Sequence, residues 1–459
     1  MGPNRTIRCV SGLAAGAAGL MLMAAAALAQ DVPPRLVFDL ASSLTYDDNP
    51  DLAPGGSDPR LAFDTRLGLT LNSTTRDQSF SLGIKGLARL DAEGLTLRDP
   101  AATLAYTRLG ADSRLSVNLD YRQADVDLFE PVPQADGTLS TTDLLATTGT
   151  VTSQSARLAF ATGLTAPLGL DLAASVSARD YSGTTDPAVY DSTSRSLTLA
   201  AHLRLPDAGR EISLTATRTA SDYDDILQTS RTGQDLSLSL SQTLRPDLTL
   251  QATLGQGDAA SRLFGVVVSQ STGLTGSIGV QATLANGTAS ASLASARDAV
   301  GPRETLRLTR SLELPRGALG ADLGVTVRAG QQGQIVGRLT YGIDLATDSF
   351  DISLSRGVTL NTDNQDVANT VLALDYQHQI TEQSSLGLSL DLAGTGTGGS
   401  AGVAGSLRQT VTASYAQDLA AGWQWSGGYT FRSLDTSTAD RATGNSVFLT
   451  ISRKFTLRP

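Results

Sequence analysis

The chain is predicted to be an all-β protein, a single transmembrane antiparallel up-and-down β-barrel of about 22 strands (roughly 18 to 24). Two observations predict this fold. Apolar and polar residues alternate strictly over short segments such as Asp235–Leu244, and mean hydropathy is −0.04 although 41% of residues are apolar. Because a strand sends successive side chains to opposite faces, Leu236, Leu238 and Leu240 are expected to meet lipid while the serines between them face a wet interior.

Residues 1–29 form a predicted secretory signal that is cleaved after Ala29. Arg5 and Arg8 form a positively charged N-terminal region, and Val10–Ala26 consists mainly of small and apolar residues. An A-x-A cleavage signature follows. A retained membrane helix is the alternative. It needs about twenty strongly apolar residues, and this Ala/Gly-rich segment is marginal for that. The signal therefore directs the chain to export.

The mature chain, residues 30–459, is expected to be acidic, free of cysteine and a barrel alone. Cys9 is the only cysteine and leaves with the signal, so disulfides and thiolate metal sites are excluded. Removing two of the 35 basic residues leaves 33 against 45 acidic ones, a net charge of −12. Such a chain binds nucleic acid poorly. The first strand begins soon after the signal, which leaves no room for a plug domain.

Short turns and longer loops alternate along the chain. About ten turns and about eleven loops predict the strand number, and no short fixed repeat typical of a β-solenoid is present. Bacterial barrels keep short turns and both termini in the periplasm, so the first strand, Leu36–Tyr46, should run outward. Gly255–Thr272 is predicted as an external loop, and Asp127–Thr152 as the longest loop, able to fold inward and constrict the channel. The lipid face of the first strand is predicted to be Leu36, Phe38, Leu40, Leu44 and Tyr46.

Charged residues fall mainly in the opposite phase to the leucines, and these residues are the candidate lumen side chains. A charge on the lipid face at mid-bilayer costs roughly 2–4 kcal/mol, so this phase predicts a hydrated interior crossed by ion pairs. Two interpretations stay open: ladders that brace a wide barrel, or a mixed-charge constriction that filters solutes. The candidates are Arg66, Lys85, Arg89, Arg122, Arg179, Arg204, Arg307, Arg328, Arg338, Arg408, Arg432, Asp120, Asp171, Asp322, Asp344, Asp351, Asp375 and Asp391.

Some residues depart from this pattern. Four arginines lie in the apolar phase, mostly near predicted strand ends, where a long side chain reaches headgroups. They are Arg108, Arg218, Arg310 and Arg356. Aromatic residues make up only 5% of the chain, so the aromatic girdles of the barrel are expected to be thin. The best girdle candidates are Trp423, Trp425, Tyr376, Tyr415 and Tyr429.

Motifs for catalysis or cofactors are weak. His202 is predicted inward, and His378 lies in the apolar phase at a periplasmic strand end. Outer-membrane acyl hydrolases, the enzymatic alternative, place their Ser and His near the outer leaflet instead. Gly394, Gly396 and Gly399 match G-x-G-x-x-G, but no helix follows, so a flexible external loop is predicted there. No enzyme activity, cofactor or metal site is expected.

The end of the first strand carries a recognisable motif. Its residues 43–50, Ser-Leu-Thr-Tyr-Asp-Asp-Asn-Pro, resemble the Tyr-Asp-x-Asn signature of the beta-barrel porin type 2 family and related outer-membrane proteins associated with exopolysaccharide gene clusters. The Leu-Pro-x-Gly style turn at 314–317 and the closing strand at 446–455 are also similar. The resemblance implies an outer-membrane pore and supplies no catalytic residues. Outer-membrane barrels often end on an aromatic assembly signal, here Phe455, which is followed by 456–459.

Two functions remain open for this predicted barrel of the Gram-negative outer membrane. One is a water-filled pore, porin-like or associated with polysaccharide export. The other is a non-conducting structural or adhesion barrel that acts through its external loops. The expected partners are outer-membrane lipid and lipopolysaccharide, the barrel-insertion machinery and, for an export pore, polysaccharide; nucleic acid is not expected. Loop acids are expected to be solvated or to bridge to lipopolysaccharide through divalent cations, namely Asp47, Asp48, Asp51, Asp222, Asp224 and Asp225.

Overall fold

The computed structural model describes residues 34–92, 94–125, 149–184, 189–397, 405–437 and 439–457. The predicted signal at 1–29 and most of the predicted loop at 127–152 lie outside these residues. The described residues form 22 strands and two short 3-10 helices, Pro206–Ala208 and Ala420–Gly422. None of the described helices is long and apolar enough to cross a membrane.

The strands are β1 Arg35–Asp47, β2 Arg60–Thr74, β3 Gln78–Asp91, β4 Gly94–Leu109, β5 Ser113–Asp125, β6 Thr150–Thr162, β7 Leu168–Ser182, β8 Ser192–Leu205, β9 Arg210–Tyr223, β10 Ser230–Arg245, β11 Leu248–Leu263, β12 Val266–Leu284, β13 Gly287–Asp298, β14 Gly301–Leu314, β15 Gly317–Arg328, β16 Gln334–Asp344, β17 Asp348–Leu360, β18 Asp366–Thr381, β19 Ser384–Thr397, β20 Ser406–Asp418, β21 Trp423–Thr436 and β22 Ala439–Leu457.

The strands close into one antiparallel barrel. Each strand pairs with the next in sequence, and β22 returns to β1 with a register that runs from Leu36 opposite Leu457 to Asp47 opposite Ser446. Closure leaves no free sheet edge, because every strand has a hydrogen-bonded neighbour on both sides. The predicted fold class, a closed 22-strand antiparallel barrel, is confirmed.

Register assigns each side chain to one of two faces, since residues directly opposite each other in adjacent strands share a face. Leu238 lies opposite Leu214 and Leu254, and these three side chains are 55%, 51% and 65% exposed. Ser239 lies opposite Ser213 and Thr253 on the other face, where its hydroxyl is 3.0 Å from that of Thr253. One face therefore carries exposed leucines and the other carries small polar residues.

The two ends of the barrel differ in the length of their connections. At the end that holds both termini, connections span from two residues, as at 246–247, to five, as at 163–167. At the opposite end they include 48–59 and 126–149. We call these the turn end and the loop end. By the rule for bacterial barrels, the turn end faces the periplasm and the loop end faces outward.

The predicted external loop at Gly255–Thr272 was wrong. β11 continues to Leu263 and β12 begins at Val266, so only two residues form the turn. The glycines that suggested a loop serve close packing inside the strands: a Cβ on Gly255 would come within 2.8 Å of the Leu236 carbonyl oxygen. Likewise, the predicted flexible loop around Gly394 is wrong at its start, because that glycine lies within β19; Gly399 lies outside the described residues.

Aromatic rings gather at the turn end of the outward face. Phe455 lies opposite Phe38 where β22 meets β1, with ring centroids 5.9 Å apart, and packs edge-on against Trp423 at 6.4 Å. Tyr415 and Trp425 form a second pair at 5.3 Å. Amphipathic rings favour the boundary between lipid and water, so these residues form a girdle at the periplasmic boundary.

The four arginines of the apolar phase lie on the outward face. Arg310 is near the turn end and donates to Asn286 Oδ1 at 2.7 Å. Arg356 lies where the β16–β17 ladder stops and donates to the carbonyl of Ile335 at 3.2 Å. Arg108 is at the turn end of β4, and Arg218 is opposite Leu197. Arg310 and Arg356 therefore each have a nearby oxygen that accepts a hydrogen bond from the guanidinium group.

Candidate functional site: the polar lumen and its mouth

The register places every candidate lumen residue on the face opposite the exposed leucines. Two close ion pairs lie along the wall, Arg89 with Asp64 and Arg307 with Asp322, each at 2.7 Å. The Arg89 pair is bidentate, with Nε–Oδ1 at 2.7 Å and Nη2–Oδ2 at 2.9 Å, and both side chains are only 9% exposed. Bidentate geometry fixes both orientation and distance, so these pairs brace neighbouring strands.

The other candidate lumen residues are distributed around the same face. Arg179 is buried, Asp120 accepts a hydrogen bond from Ser155 at 3.2 Å, and Arg338 lies opposite Asp322 without a close ion pair. Cross-strand pairs on this face are Arg122 with Ala101, Asp344 with Ser349, Asp351 with Asp375, Asp391 with Ala373, and Arg408 with Ala393. Arg432 contacts Asp47 at 2.5 Å near the loop end.

A histidine lies between two carboxylates in the turn half of the lumen. His202 Nδ1 is 2.9 Å from Glu211 Oε1, and its Nε2 is 2.8 Å from Asp171 Oδ2. Arg204, 3.8 Å from Glu211, donates to the carbonyl of Gly163 in the neighbouring turn. Within the described part of the chain, no three His, Cys, Asp or Glu side chains converge as a metal site. This group ties β7, β8 and β9 together.

A second group, which we call the mouth cluster, lies at the loop end. Arg328 donates to Asp298 at 2.7 Å and to Asp366 at 3.2 Å, and Arg303 contacts both carboxylates. The Arg328 and Asp366 side chains are 5% and 3% exposed. Two arginines thus balance two aspartates in a site whose centre is buried, while the Asp298 side chain stays 26% exposed. Only Arg328 was predicted as a lumen residue, because the other three residues fall within segments predicted as external loops, Ala296–Arg303 and Gly357–Val367.

The mouth cluster shows that the β17–β18 hairpin bends into the lumen. The β16–β17 ladder stops at Gly337 opposite Arg356, whereas the β17–β18 ladder continues to Leu360 opposite Asp366. Beyond Arg356, β17 has therefore separated from β16, whereas β18 remains paired with β19 as far as Val367 opposite Thr397. The hairpin tip leans into the barrel, because Asp366 reaches arginines on the inward face of β14 and β15. Its residues 366–369 are 1–5% exposed, so both of its faces are covered.

A more distant part of the wall also holds this hairpin. Arg231 at the loop end of β10 donates to the carbonyl of Leu360 at 3.0 Å, to the carbonyl of Asn361 and to Asn364 Oδ1 at 3.1 Å. Six strands separate β10 from β17 in the sheet, so these contacts reach over part of the mouth. Most of the predicted constriction at 127–152 lies outside the described residues. The segment Gly357–Val367, which its composition predicts as an external loop, instead belongs to the hairpin that narrows the mouth.

A cationic cavity lies on the lumen wall towards the turn end. The cavity has a volume of about 420 Å³ and is lined by Arg66, Lys85, Lys454 and Asp39, among small side chains such as Ala41. The three cations are exposed to the lumen, and within the described residues none of them lies within ion-pair distance of a carboxylate. Lys454 was missed by the sequence analysis, although it alternates with the outward Ile451 and Arg453 in the closing strand.

Two carboxyl groups outside the strands have shifted pKa values. Burial at the loop end raises the pKa of Asp191 above the ordinary aspartate value, although that carboxylate accepts the backbone N–H of Tyr181 at 2.7 Å. At the turn end, hydrogen bonds from the N–H and hydroxyl of Thr165, at 2.6 and 2.7 Å, lower the pKa of Asp112. Asp112 therefore joins two adjacent turns as an anion.

Comparison with protein families and with curated proteins gives no match. Solved structures are similar in fold. The FrpB iron transporter from Neisseria meningitidis has a TM-score of 0.57 at 10% identity, over 93% of this chain and 82% of that one. The siderophore receptor PiuA from Acinetobacter baumannii has a TM-score of 0.55 at 10% identity, over 91% and 82%. The copper transporter OprC has 0.53 at 12%, over 93% and 81%.

The chain has the fold of an outer-membrane β-barrel. At identities of 10–12% the similarity concerns the fold alone. It agrees with the closed sheet, the lipid-compatible outward face and the unequal ends. No family model supports the resemblance to the porin type 2 family.

Proposed function

We propose that the barrel is a water-filled channel of the outer membrane, porin-like or associated with polysaccharide export. The observation that carries this proposal is the continuous polar inward face, which includes charged residues from strands all around the wall. A wide barrel leaves an aqueous channel unless something fills it. Charged and hydroxyl side chains need water or polar solutes around them, so this wall suits the passage of hydrophilic molecules.

The channel proposed here contains no plug domain and is narrowed by the β17–β18 hairpin. Outer-membrane transporters with 22 strands have a lumen filled by a plug. The proposed channel differs from them because only the hairpin narrows its lumen. The hairpin tip leans over the mouth and contacts Arg231 of β10 as well as the mouth cluster of β14 and β15. A narrow mouth of this kind would restrict flux and select solutes by size and charge.

Single-channel recording in planar bilayers tests the proposal. We would compare the mature chain with a variant in which 358–368 is replaced by Asn-Gly, which joins the paired residues Gly357 and Asn369 through a tight turn. We expect stable openings in both proteins and a larger conductance in the shortened one. As a control, 262–268 in the protruding β11–β12 hairpin is replaced in the same way between Ser261 and Ser269, with no change in conductance expected.

Silence of both the mature chain and the shortened variant, each shown to be folded by heat-modifiable mobility, would reject the channel. The channel would then be replaced by the adhesion alternative.

This alternative is supported by large apolar side chains that are exposed at the loop end, with Ile226 79%, Phe264 62% and Val266 67% exposed. Contiguous exposed apolar side chains often mark interaction sites, so the 262–268 control would be tested for loss of adhesion.

A further inference from the structure

We propose that the cationic cavity of Arg66, Lys85 and Lys454 is a binding site for a sugar-sized anionic solute. This inference rests on the proposed function in one respect, because the solute reaches the site through the lumen. The strands that build the site are the first four and the last, so the barrel closure itself brings Lys454 beside residues that precede it by more than 350 positions.

The charge of this cavity is not neutralised from within. Lys454 lies directly opposite Asp39 in the β1–β22 register, and Lys85 lies opposite Gly68. Even so, no ion pair forms among these groups within the described residues, so three cations and one carboxylate leave an excess of two positive charges. Elsewhere on the lumen wall, Arg89, Arg307 and Arg328 are each held by carboxylates. The cavity therefore differs from these places in bringing three cations together without a carboxylate at ion-pair distance.

The cavity has room for a ligand because its floor is made of small residues. Ala41, Gly68, Gly83 and Ala101 line it between the charged side chains. The volume of about 420 Å³ lies within the usual range of small-molecule sites, roughly 300–1,000 Å³. Larger residues at these positions would fill the space in which a solute can lie against the strands.

The chemistry of the lining favours an anion that also carries hydroxyl groups. Thr70, Thr103 and Ser452 add hydroxyls that both donate and accept hydrogen bonds. The cations would bind a carboxylate or phosphate by charge-assisted hydrogen bonds. A sugar acid or a sugar phosphate combines both groups in one molecule.

Isothermal titration of the refolded mature chain at low ionic strength tests this site without relying on conductance. Glucuronate, glucose 6-phosphate and glucose are the three probes. We expect one or both anions to bind, which identifies the preferred anionic group, and glucose not to bind. The triple variant R66Q/K85Q/K454Q should bind the anion at least about 10-fold more weakly, since hydrogen bonds to charged groups contribute strongly.

The control variant is Arg157→Gln. Arg157 is another exposed cation on the inward face, opposite Asn118 and Ser175, and it lies outside the cavity. Its substitution should leave anion affinity within about twofold, since solute binding depends on contact more than on distant screened charge. Absence of binding by both anions, equal binding of glucose, or full affinity in the triple variant would each overturn the proposal. A silent channel that still binds the anion would reject the channel alone.

Discussion

The two faces of β10 can be tested by placing the same charge on each of them. Leu238 lies near the middle of this 16-residue strand, with leucines opposite it on both sides. Leu238→Arg puts a guanidinium against lipid, at a cost of roughly 2–4 kcal/mol at the bilayer midplane. That cost corresponds to a fall of about 30- to 1,000-fold in the equilibrium between folded and unfolded barrel.

Ser239→Arg is the matched substitution on the lumen face. Its neighbours Ser213 and Thr253 are small, so a long side chain can extend into the interior. The change removes one hydrogen bond to Thr253, a loss of about 1 kcal/mol. The folded fraction in outer membranes, measured by heat-modifiable mobility, should fall strongly for the first variant and little for the second. Equal loss, or the reverse order, would refute the assigned register.

Three further predictions concern the ion pairs, the closing strand and the lumen charges. Asp64→Ala leaves the buried Arg89 without its carboxylate and should cost about 3–5 kcal/mol in urea unfolding; D64L/R89M should cost much less, and an equal cost would contradict this account. Phe455→Ala removes ring contacts with Phe38 and should lower the amount of assembled barrel, whereas Leu457→Ala should not. Reversal potentials should shift towards cations on alanine substitution of Arg122, Arg179 and Arg338, and unchanged potentials would count against a lumen filter.

Much of the barrel could be predicted from sequence because its main determinant is local. Lipid on one side and water on the other impose a period of two on every strand. The first strand was predicted at Leu36–Tyr46 and spans Arg35–Asp47. Strand ends were harder to predict where glycine is frequent, as in β11 and β12. There, Gly273 leaves room for the guanidinium of Arg297, whose Cζ would lie 2.7 Å from a Cβ at that position, and this contact depends on the folded sheet.

The candidate sites were only partly predictable. The alternation of side chains along the strands is enough to place Arg66 and Lys85 on the lumen face. The same alternation in the closing strand predicts that Lys454 also faces the lumen. The mouth is different, because Asp366 contacts Arg328 only where β17 has separated from β16, beyond Arg356. The position at which β17 separates from β16 depends on the pairing of these two strands in the folded sheet. The alternation within either strand does not predict that position. The inward hairpin therefore could not be inferred from alternation.

The contacts that hold the hairpin are mainly polar, and this affects what it can do. Buried ion pairs contribute little net stability, since desolvation offsets much of their attraction, but they fix position because a displaced partner leaves a buried charge. Arg231 adds hydrogen bonds to carbonyl groups, and its Nε has no partner in the described structure. The β18–β19 ladder also continues to Val367, and that side chain is buried. Moving the hairpin out of the mouth would therefore break backbone hydrogen bonds as well as these side-chain contacts, so the arrangement suits a fixed constriction.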